Sequence, residues 1–208
     1  NYEAVAKFSL FDRALTVTAA AFRIDWKDIQ LNVDRGDGFN GFLNAGRARI
    51  EGAELEINGR IDDHWRFGGQ VTFTDAKLRT VEPGVPATAG QRLPQVARWN
   101  AAANLEYGRS VGVDSYAFVR GDVQYVGPRL NSIAASPLPI DGYTLFNLKL
   151  GLNSGPYEFS LFAKNLFDRQ AQLGRSQLDG VLRGVPVSLD RITVNVPRTI
   201  GVSLARSF

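Results

Sequence analysis

The chain has 208 residues, a net charge of +3 and neither Cys nor Met. No apolar run reaches the ~18 residues of a membrane helix, and no signal peptide is visible. The Arg and Lys residues are spread along the chain rather than gathered in a basic block, which argues against nucleic-acid binding. A hydrophobic fraction of 44% is below that of a helical membrane protein but suits strands with one wet face. The absence of Met and the Asn-Tyr start lead us to expect a processed product or a piece of a longer chain, and the lack of Cys fits an oxidising compartment.

Taken in order, the chain reads as strands of period 2. The first strand, Tyr2 to Leu10, sets Tyr2, Ala4, Ala6, Phe8 and Leu10 against Glu3, Lys7 and Ser9. After the turn Phe11-Asp12-Arg13, a second strand runs from Leu15 to about Leu31. Phe22, Ile24 and Trp26 share one parity there, and Arg23, Asp25 and Lys27 the other. A polar loop covers Asp34 to Gly41. Its Gly36-Asp37-Gly38-Phe39-Asn40-Gly41 fits GxGxxG in form, but no helix pattern follows to hold a pyrophosphate. Arg35-Gly36-Asp37 is an adhesion tripeptide only by chance spelling, and Asp34 with Asp37 lacks the closing Glu of a Ca²⁺ loop.

The third strand, Phe42 to Arg60, alternates Ala53, Leu55 and Ile57 with Glu54, Glu56 and Asn58. The turn Asp62-Asp63-His64 holds the only His. The fourth strand, Trp65 to about Leu78, puts Trp65, Phe67, Val71 and Phe73 together, and a Pro/Gly-rich loop follows from Val81 to Pro94. The fifth strand, Trp99 to Tyr107, is bracketed by aromatics like a girdled membrane strand. The sixth, Ser115 to Val126, turns Arg120, Asp122 and Gln124 inward. After a loop from Gly127 to Asp141, the seventh strand, Tyr143 to Leu152, sets Phe146, Leu148 and Leu150 against Asn147 and Lys149. The eighth, Tyr157 to about Asn165, sets Phe159 and Leu161 against Glu158 and Lys164. The longest loop spans Phe167 to Pro197 and carries Arg169, Arg175, Arg183 and Arg191. The last strand, Arg198 to Phe208, has Ile200, Val202, Leu204 and Phe208 on one face.

Two regularities set the fold class. Connections alternate short and long, as periplasmic turns and extracellular loops do in outer-membrane barrels. Charges also fall near mid-strand, where a dry sandwich core would cost several kcal/mol for each unpaired one. The expectation is an all-β, antiparallel transmembrane β-barrel segment of about nine strands. Arg23, Glu54, Arg120, Asp122, Lys149 and Lys164 are expected to line the lumen and contact plug or ligand. Nine strands with two free edges cannot stand alone in lipid, so further strands are expected elsewhere.

Local motifs then agree with one family. Phe22-Arg23-Ile24-Asp25-Trp26-Lys27-Asp28-Ile29, the strand from Asn44-Ala45-Gly46 to Glu56, Arg92-Leu93-Pro94-Gln95, Asp141-Gly142-Tyr143-Thr144, Lys164-Asn165-Leu166-Phe167-Asp168 and Pro197-Arg198-Thr199 come in the order of TonB-dependent outer-membrane receptors, which the chain resembles throughout. The alternating last strand ending on Phe208, with Val202 and Leu204, resembles the signal read by the barrel assembly machinery. The resemblance implies the carboxy-terminal part of a 22-strand barrel in the cell outer membrane, whose earlier strands, plug domain and TonB-contacting segment lie outside these residues. It implies energy-coupled uptake, through the TonB complex, of a scarce small-molecule ligand. The basic loops suit an anionic one such as a ferric siderophore, while Glu54, Glu56 and Glu106 leave cobalamin or a sugar open.

A passive porin shares the alternation but not the Asn165-Leu166-Phe167-Asp168 strand exit. A barrel enzyme would need an acid–base set at one rim, and a lone His in a turn does not supply it. A soluble sandwich adhesin would hide its apolar rows in a protein core. No catalytic residue, metal ligand or cofactor is expected.

Overall fold

The computed structural model describes residues 1–34 and 40–207. It is all-β: β1 (Tyr2–Leu10), β2 (Leu15–Trp26), β3 (Gln30–Asp34), β4 (Asn40–Asn44), β5 (Arg47–Arg60), β6 (Trp65–Thr80), β7 (Trp99–Ser110), β8 (Ser115–Val126), β9 (Arg129–Leu130), β10 (Pro139–Ile140), β11 (Tyr143–Ser154), β12 (Tyr157–Lys164), β13 (Gln172–Leu182), β14 (Val185–Val194) and β15 (Thr199–Arg206). A nine-stranded sheet runs β1-β2-β5-β6-β7-β8-β11-β12-β15, each neighbour antiparallel. The hairpins β3–β4, β9–β10 and β13–β14 are separate two-stranded sheets, each inserted in a connection at the same end. Among the described residues the sheet does not close on itself: β1 and β15 are its edges.

Short turns join the strands at the other end. Gly155 has φ 53° at the first position of the two-residue β11–β12 loop, the place where a type II′ hairpin turn needs glycine. At the tip of β13–β14, Arg183 and Gly184 have φ 50° and 79°, the paired positive values of a type I′ turn.

Register divides the main sheet into two faces. One row reads Val119–Leu150–Leu161–Val202 and another Ala19–Leu55–Val71–Ala101. Val202 is 83% exposed and Leu55 42%, so among the described residues no protein layer covers this face. Two aromatic rows bound it: Phe73 on Trp99 and Trp65 on Tyr107, each pair with ring centroids 4.9 Å apart. From Trp99 to Tyr107 is roughly 27 Å along the strand, which, tilted, is comparable to the ~25 Å apolar band of an outer-membrane barrel.

The other face carries Glu54, Glu56, Asn58, Gln70, Asn104, Glu106, Arg120, Asp122, Asn147 and Lys149 by the same register. Its aromatic rings are seated over glycines of the neighbouring strand. Phe22 lies over Gly52, Tyr116 over Gly108, Phe118 over Gly151 and Phe162 over Gly201, so closely that a Cβ at any of these glycines would collide with the ring. Each ring thereby gains apolar contact while the face stays wet.

The buried core sits elsewhere. Ile29, Val33, Ala45, Ala48, Ala76, Leu78, Leu93 and Ile133 form one cluster, with Val33, Leu78 and Ile133 at 0% exposure. These residues come from the β2–β3 connection, β3, the β4–β5 junction, the upper ends of β5 and β6, and the two following long connections. The core therefore welds the loops to the sheet at the long-loop end.

Three expectations change. The second strand does not run on to Leu31, nor does the third begin at Phe42. β2 stops at Trp26, β5 starts at Arg47, and β3–β4 fills the gap, because Ile29, Val33 and Ala45 have their own core to enter. Of the GxGxxG stretch and the Asp34/Asp37 pair, Gly36 to Phe39, Asp37 among them, fall outside the described residues, as does all of Arg35-Gly36-Asp37. The long connection expected from Phe167 to Pro197 is largely the hairpin β13–β14.

Candidate functional site: the polar face and the loop end

Two regions gather polar chemistry. The first is the polar face. Glu106, with its side chain 17% exposed, sits between two guanidiniums, 3.6 Å from Arg66 and 3.9 Å from Arg120. Arg120 also donates from Nε and Nη2 to Asp122 Oδ1, both at 3.0 Å. Farther along the sheet Lys149 donates to Glu158 at 2.6 Å and lies 5.5 Å over the Phe118 ring. Lys164 stands over Phe162 at the same distance. Beside these ion pairs is an open hollow of about 380 Å³ lined by Glu56, Asn58, Gln70, Asn104, Asp122 and Asn147. Glu54 borders a smaller one of about 90 Å³ with Thr18 and Thr72. Half-exposed pairs of this kind contribute only about 0–1 kcal/mol each. Their consequence is a hydrated wall rich in fixed donors and acceptors, not a rigid core.

Glu54, Arg120, Asp122, Lys149 and Lys164 share this face. Arg23 does not. The register pairs Ala21 with Ala53 and Arg23 with Glu51, which puts Arg23 on the face of Leu55. Residue type alone, with Phe22, Ile24 and Trp26 on one parity, puts Arg23 inward. In the fold the Phe22 ring turns to the polar side, where Gly52 leaves room for it. Arg23 stands above the apolar band, paired with Asp25 at 3.0 Å and Glu51 at 3.7 Å.

The second region is the loop end. Asn165, only 5% exposed, closes the exit of β12. Its backbone N–H donates to Asn147 Oδ1 at 2.9 Å, its Nδ2 donates to the carbonyls of Arg169 and Val196, and its Oδ1 accepts the Arg169 N–H. Asp168 accepts the N–H of Arg198 at 2.7 Å. The Asn165-Leu166-Phe167-Asp168 motif is thus a staple between β12 and β15. Arg129, 7% exposed, does the same for the long hairpin: Nη2 donates to the carbonyls of Gln172 at 3.2 Å and Leu173 at 2.7 Å. Its Nε reaches Gln95 Oε1 at 3.4 Å, and its guanidinium lies 6.0 Å over the Tyr143 ring. Sequence reading missed Arg129; the signal was an Arg in a short Pro-flanked segment, uninformative without the partner carbonyls.

At the opposite end His64 lies in the β5–β6 turn, its ring stacked on Tyr107 at 5.9 Å. Asp62 accepts the N–H groups of His64 and Trp65 at 2.7 and 2.8 Å. These hydrogen bonds hold its carboxyl below the usual carboxylate range. Val202 and Leu204 lie in the apolar row of β15, while Phe208 is outside the described residues. Among the described residues no group of three or more His, Asp and Glu is placed to hold a metal ion.

Comparison with known proteins agrees with this geometry. A family model described as TonB dependent receptor-like, beta-barrel, matches residues 1–166. The metal-pseudopaline receptor CntO of Pseudomonas aeruginosa is 28% identical over 174 residues, covering 82% of this chain and 23% of the receptor. The catecholate siderophore receptor Fiu of Escherichia coli K12 is 25% identical over 166 residues, covering 78% of this chain and 21% of its own. The chain therefore spans under a quarter of the length of these curated relatives. Among solved structures, the ferric yersiniabactin uptake receptor FyuA of Yersinia pestis superposes with a TM-score of 0.73 at 22% identity, over 98% of this chain and 29% of that one. That likeness supports the fold.

Proposed function

Because this chain belongs to the TonB-dependent receptor-like β-barrel family, whose members are outer-membrane proteins, we propose that it forms the carboxy-terminal part of a receptor barrel that takes up a scarce small ligand. The observation that carries this reading is the single register with oil-like rows on one side and a paired, hydrated wall on the other. In a barrel the first side meets lipid and the second meets the lumen. The long connections then face the cell exterior, and the short turns the periplasm.

In this reading Glu54, Arg120, Asp122, Lys149 and Lys164 contact plug or ligand, and Arg23 does not. The plug and the segment that engages the TonB complex lie outside these residues. Val202, Leu204 and Phe208 are offered as the row read by the barrel assembly machinery. The ligand class is an anionic metal chelate of the ferric-siderophore kind, as the names of CntO and Fiu suggest for those relatives. Those relatives are transport receptors, and the reading assigns this wall no catalytic step.

The test is Arg120→Ala in the complete receptor. Removing the guanidinium leaves Glu106 with Arg66 and frees Asp122, a loss of no more than about 1 kcal/mol in folding. Uptake of the chelate should fall while the amount of inserted, heat-modifiable barrel stays constant. Uptake unchanged in both Arg120→Ala and Lys149→Ala would refute a role for this wall in transport.

A further inference from the structure

We propose that one side of the β13–β14 hairpin docks an apolar outer loop carried by the first strands of the same receptor, those that close the barrel onto β15. This rests on the reading of the chain as the carboxy-terminal part of a receptor barrel. Register makes the hairpin a ribbon with two unlike sides. On one side Arg175 donates to Asp190 and Gln177 to Ser188, a polar ladder that satisfies itself. On the other stand Leu182, Val185, Val187 and Leu189, ahead of the pair Ser176–Arg191 nearer the base. Leu182 is 65% exposed, Val185 60% and Leu189 62%, so none of the described residues covers this second side.

Topology says where the cover comes from. The polar side rests on the body of the chain: β13 packs on β10, and Arg175 also donates to the carbonyl of Pro139 in β10 at 3.4 Å. The apolar side is turned away from β10. That strand lies in the connection before β11, while the hairpin stands between β12 and β15. Away from β10 is therefore toward β15 and past it, and β15 is a free edge of the sheet. A sheet in lipid cannot leave such an edge open. In the barrel the first strand pairs there, and the outer connections of the first strands come up beside the hairpin.

Physical chemistry asks for that cover. A lone two-stranded hairpin is marginally stable in water, and an aliphatic row left open outside a cell invites association. The occupant must be apolar, because Leu182, Val185, Val187 and Leu189 offer no side-chain hydrogen bond. A second copy of the receptor fits this side poorly. Two receptors upright in one membrane meet at equal heights in a twofold contact, which would set Arg191 against its own copy.

The test uses the complete receptor in phosphatidylcholine bilayers, with a nitroxide at Leu189 on the apolar side or at Ser188 on the polar side. Both positions are exposed in the 208 residues alone. In the complete receptor, collision with a water-soluble nickel chelate should be several-fold lower at Leu189 than at Ser188, and the Leu189 label should be motionally restricted. Both results should survive dilution of the labelled receptor with excess lipid. A benzophenone side chain at Leu189, irradiated in cells, should crosslink within the same polypeptide, to a connection between strands that precede Asn1. Equal nickel access at the two positions would overturn the proposal. So would restriction lost on dilution, which would mean a second copy, and so would a crosslink to another protein or only to these residues. A receptor that does not insert, or whose β11 shows no alternation between lipid and water, would instead overturn the barrel reading on which the proposal rests.

Discussion

The two ends of the sheet are built on different physics. At the short-turn end, β1–β2, β5–β6, β7–β8 and β11–β12 are joined by local turns, and no residue of the buried cluster lies there. At the long-loop end, Ile29, Val33, Leu78, Leu93 and Ile133 are packed almost dry. Between the ends, the apolar rows have no cover from the described residues. Hydrocarbon does for those rows what a second protein layer does in a sandwich, so side chains are sorted there by face alone. Once the chain leaves the apolar band, it must bury its own apolar groups against itself or float in water. The difference teaches where mutation should hurt: in the loop-end core and at the ring-over-glycine seats, far more than in the apolar rows.

The sharpest test of that contrast is Ile133→Ala. It removes a fully buried side chain from the loop core, with an expected cost of about 2–5 kcal/mol. Hydrogen exchange should show faster opening of β3–β4 and the neighbouring connections while the main sheet stays protected. Val202→Ala, in the apolar row, should leave exchange everywhere unchanged.

Next comes Arg129→Ala. Its guanidinium ties the base of β13 to β9 through the Gln172 and Leu173 carbonyls. Hydrogen bonds to a charged group contribute about 1.5–3 kcal/mol, so limited proteolysis should cut this hairpin much faster. Cleavage at the unaltered rate would show that the hairpin is held by something else.

A comparable effect is expected for Gly151→Ala, because the Phe118 ring occupies the space a methyl group needs. Overpacking costs about 1–3 kcal/mol, readable as a lower urea midpoint for the barrel in detergent. Gly121→Ala is the matched control, since nothing lies within 4 Å of its Cβ position. Equal midpoints for the two variants would break the account of the polar face.

The smallest effect belongs to Asp62. Its carboxyl is stabilised as the anion by two backbone N–H groups, so its folded pKa is depressed. That contribution is present above the ordinary carboxylate pKa and is lost as pH falls through the depressed value. Asp62→Asn should flatten this part of the acid-side decline, with stability slightly lower at neutral pH and matching the unaltered protein at acid pH. A steeper acid-side decline in the variant would contradict the capping role.

Most strands were legible because membrane strands sort residues by parity and short turns mark their ends. β1, β8 and β12 begin and end at or within a residue of where alternation and turn residues put them. Glu54, Arg120 and Lys149 were placed together for the same reason. Arg23 was not, because parity becomes ambiguous where a strand leaves hydrocarbon: both Phe22 and Arg23 find partners there, one over Gly52 and the other beside Glu51. The hairpins β3–β4 and β13–β14 were illegible as strands because their polarity is mixed and Gly and Pro interrupt them. The contact of Val33 with Ile133 joins segments a hundred residues apart, and Arg129 finds its carbonyls on β13. No local pattern encodes either.

The central claim is that one side of this sheet meets lipid and the other water. A nitroxide scan through residues 145–152 of β11, read by collision with oxygen and with a water-soluble nickel chelate, tests it most directly. The account predicts oxygen maxima at Leu148, Leu150 and Leu152 and nickel maxima at Asn147 and Lys149, in strict alternation. Maxima in the opposite phase, or no alternation at all, would contradict it.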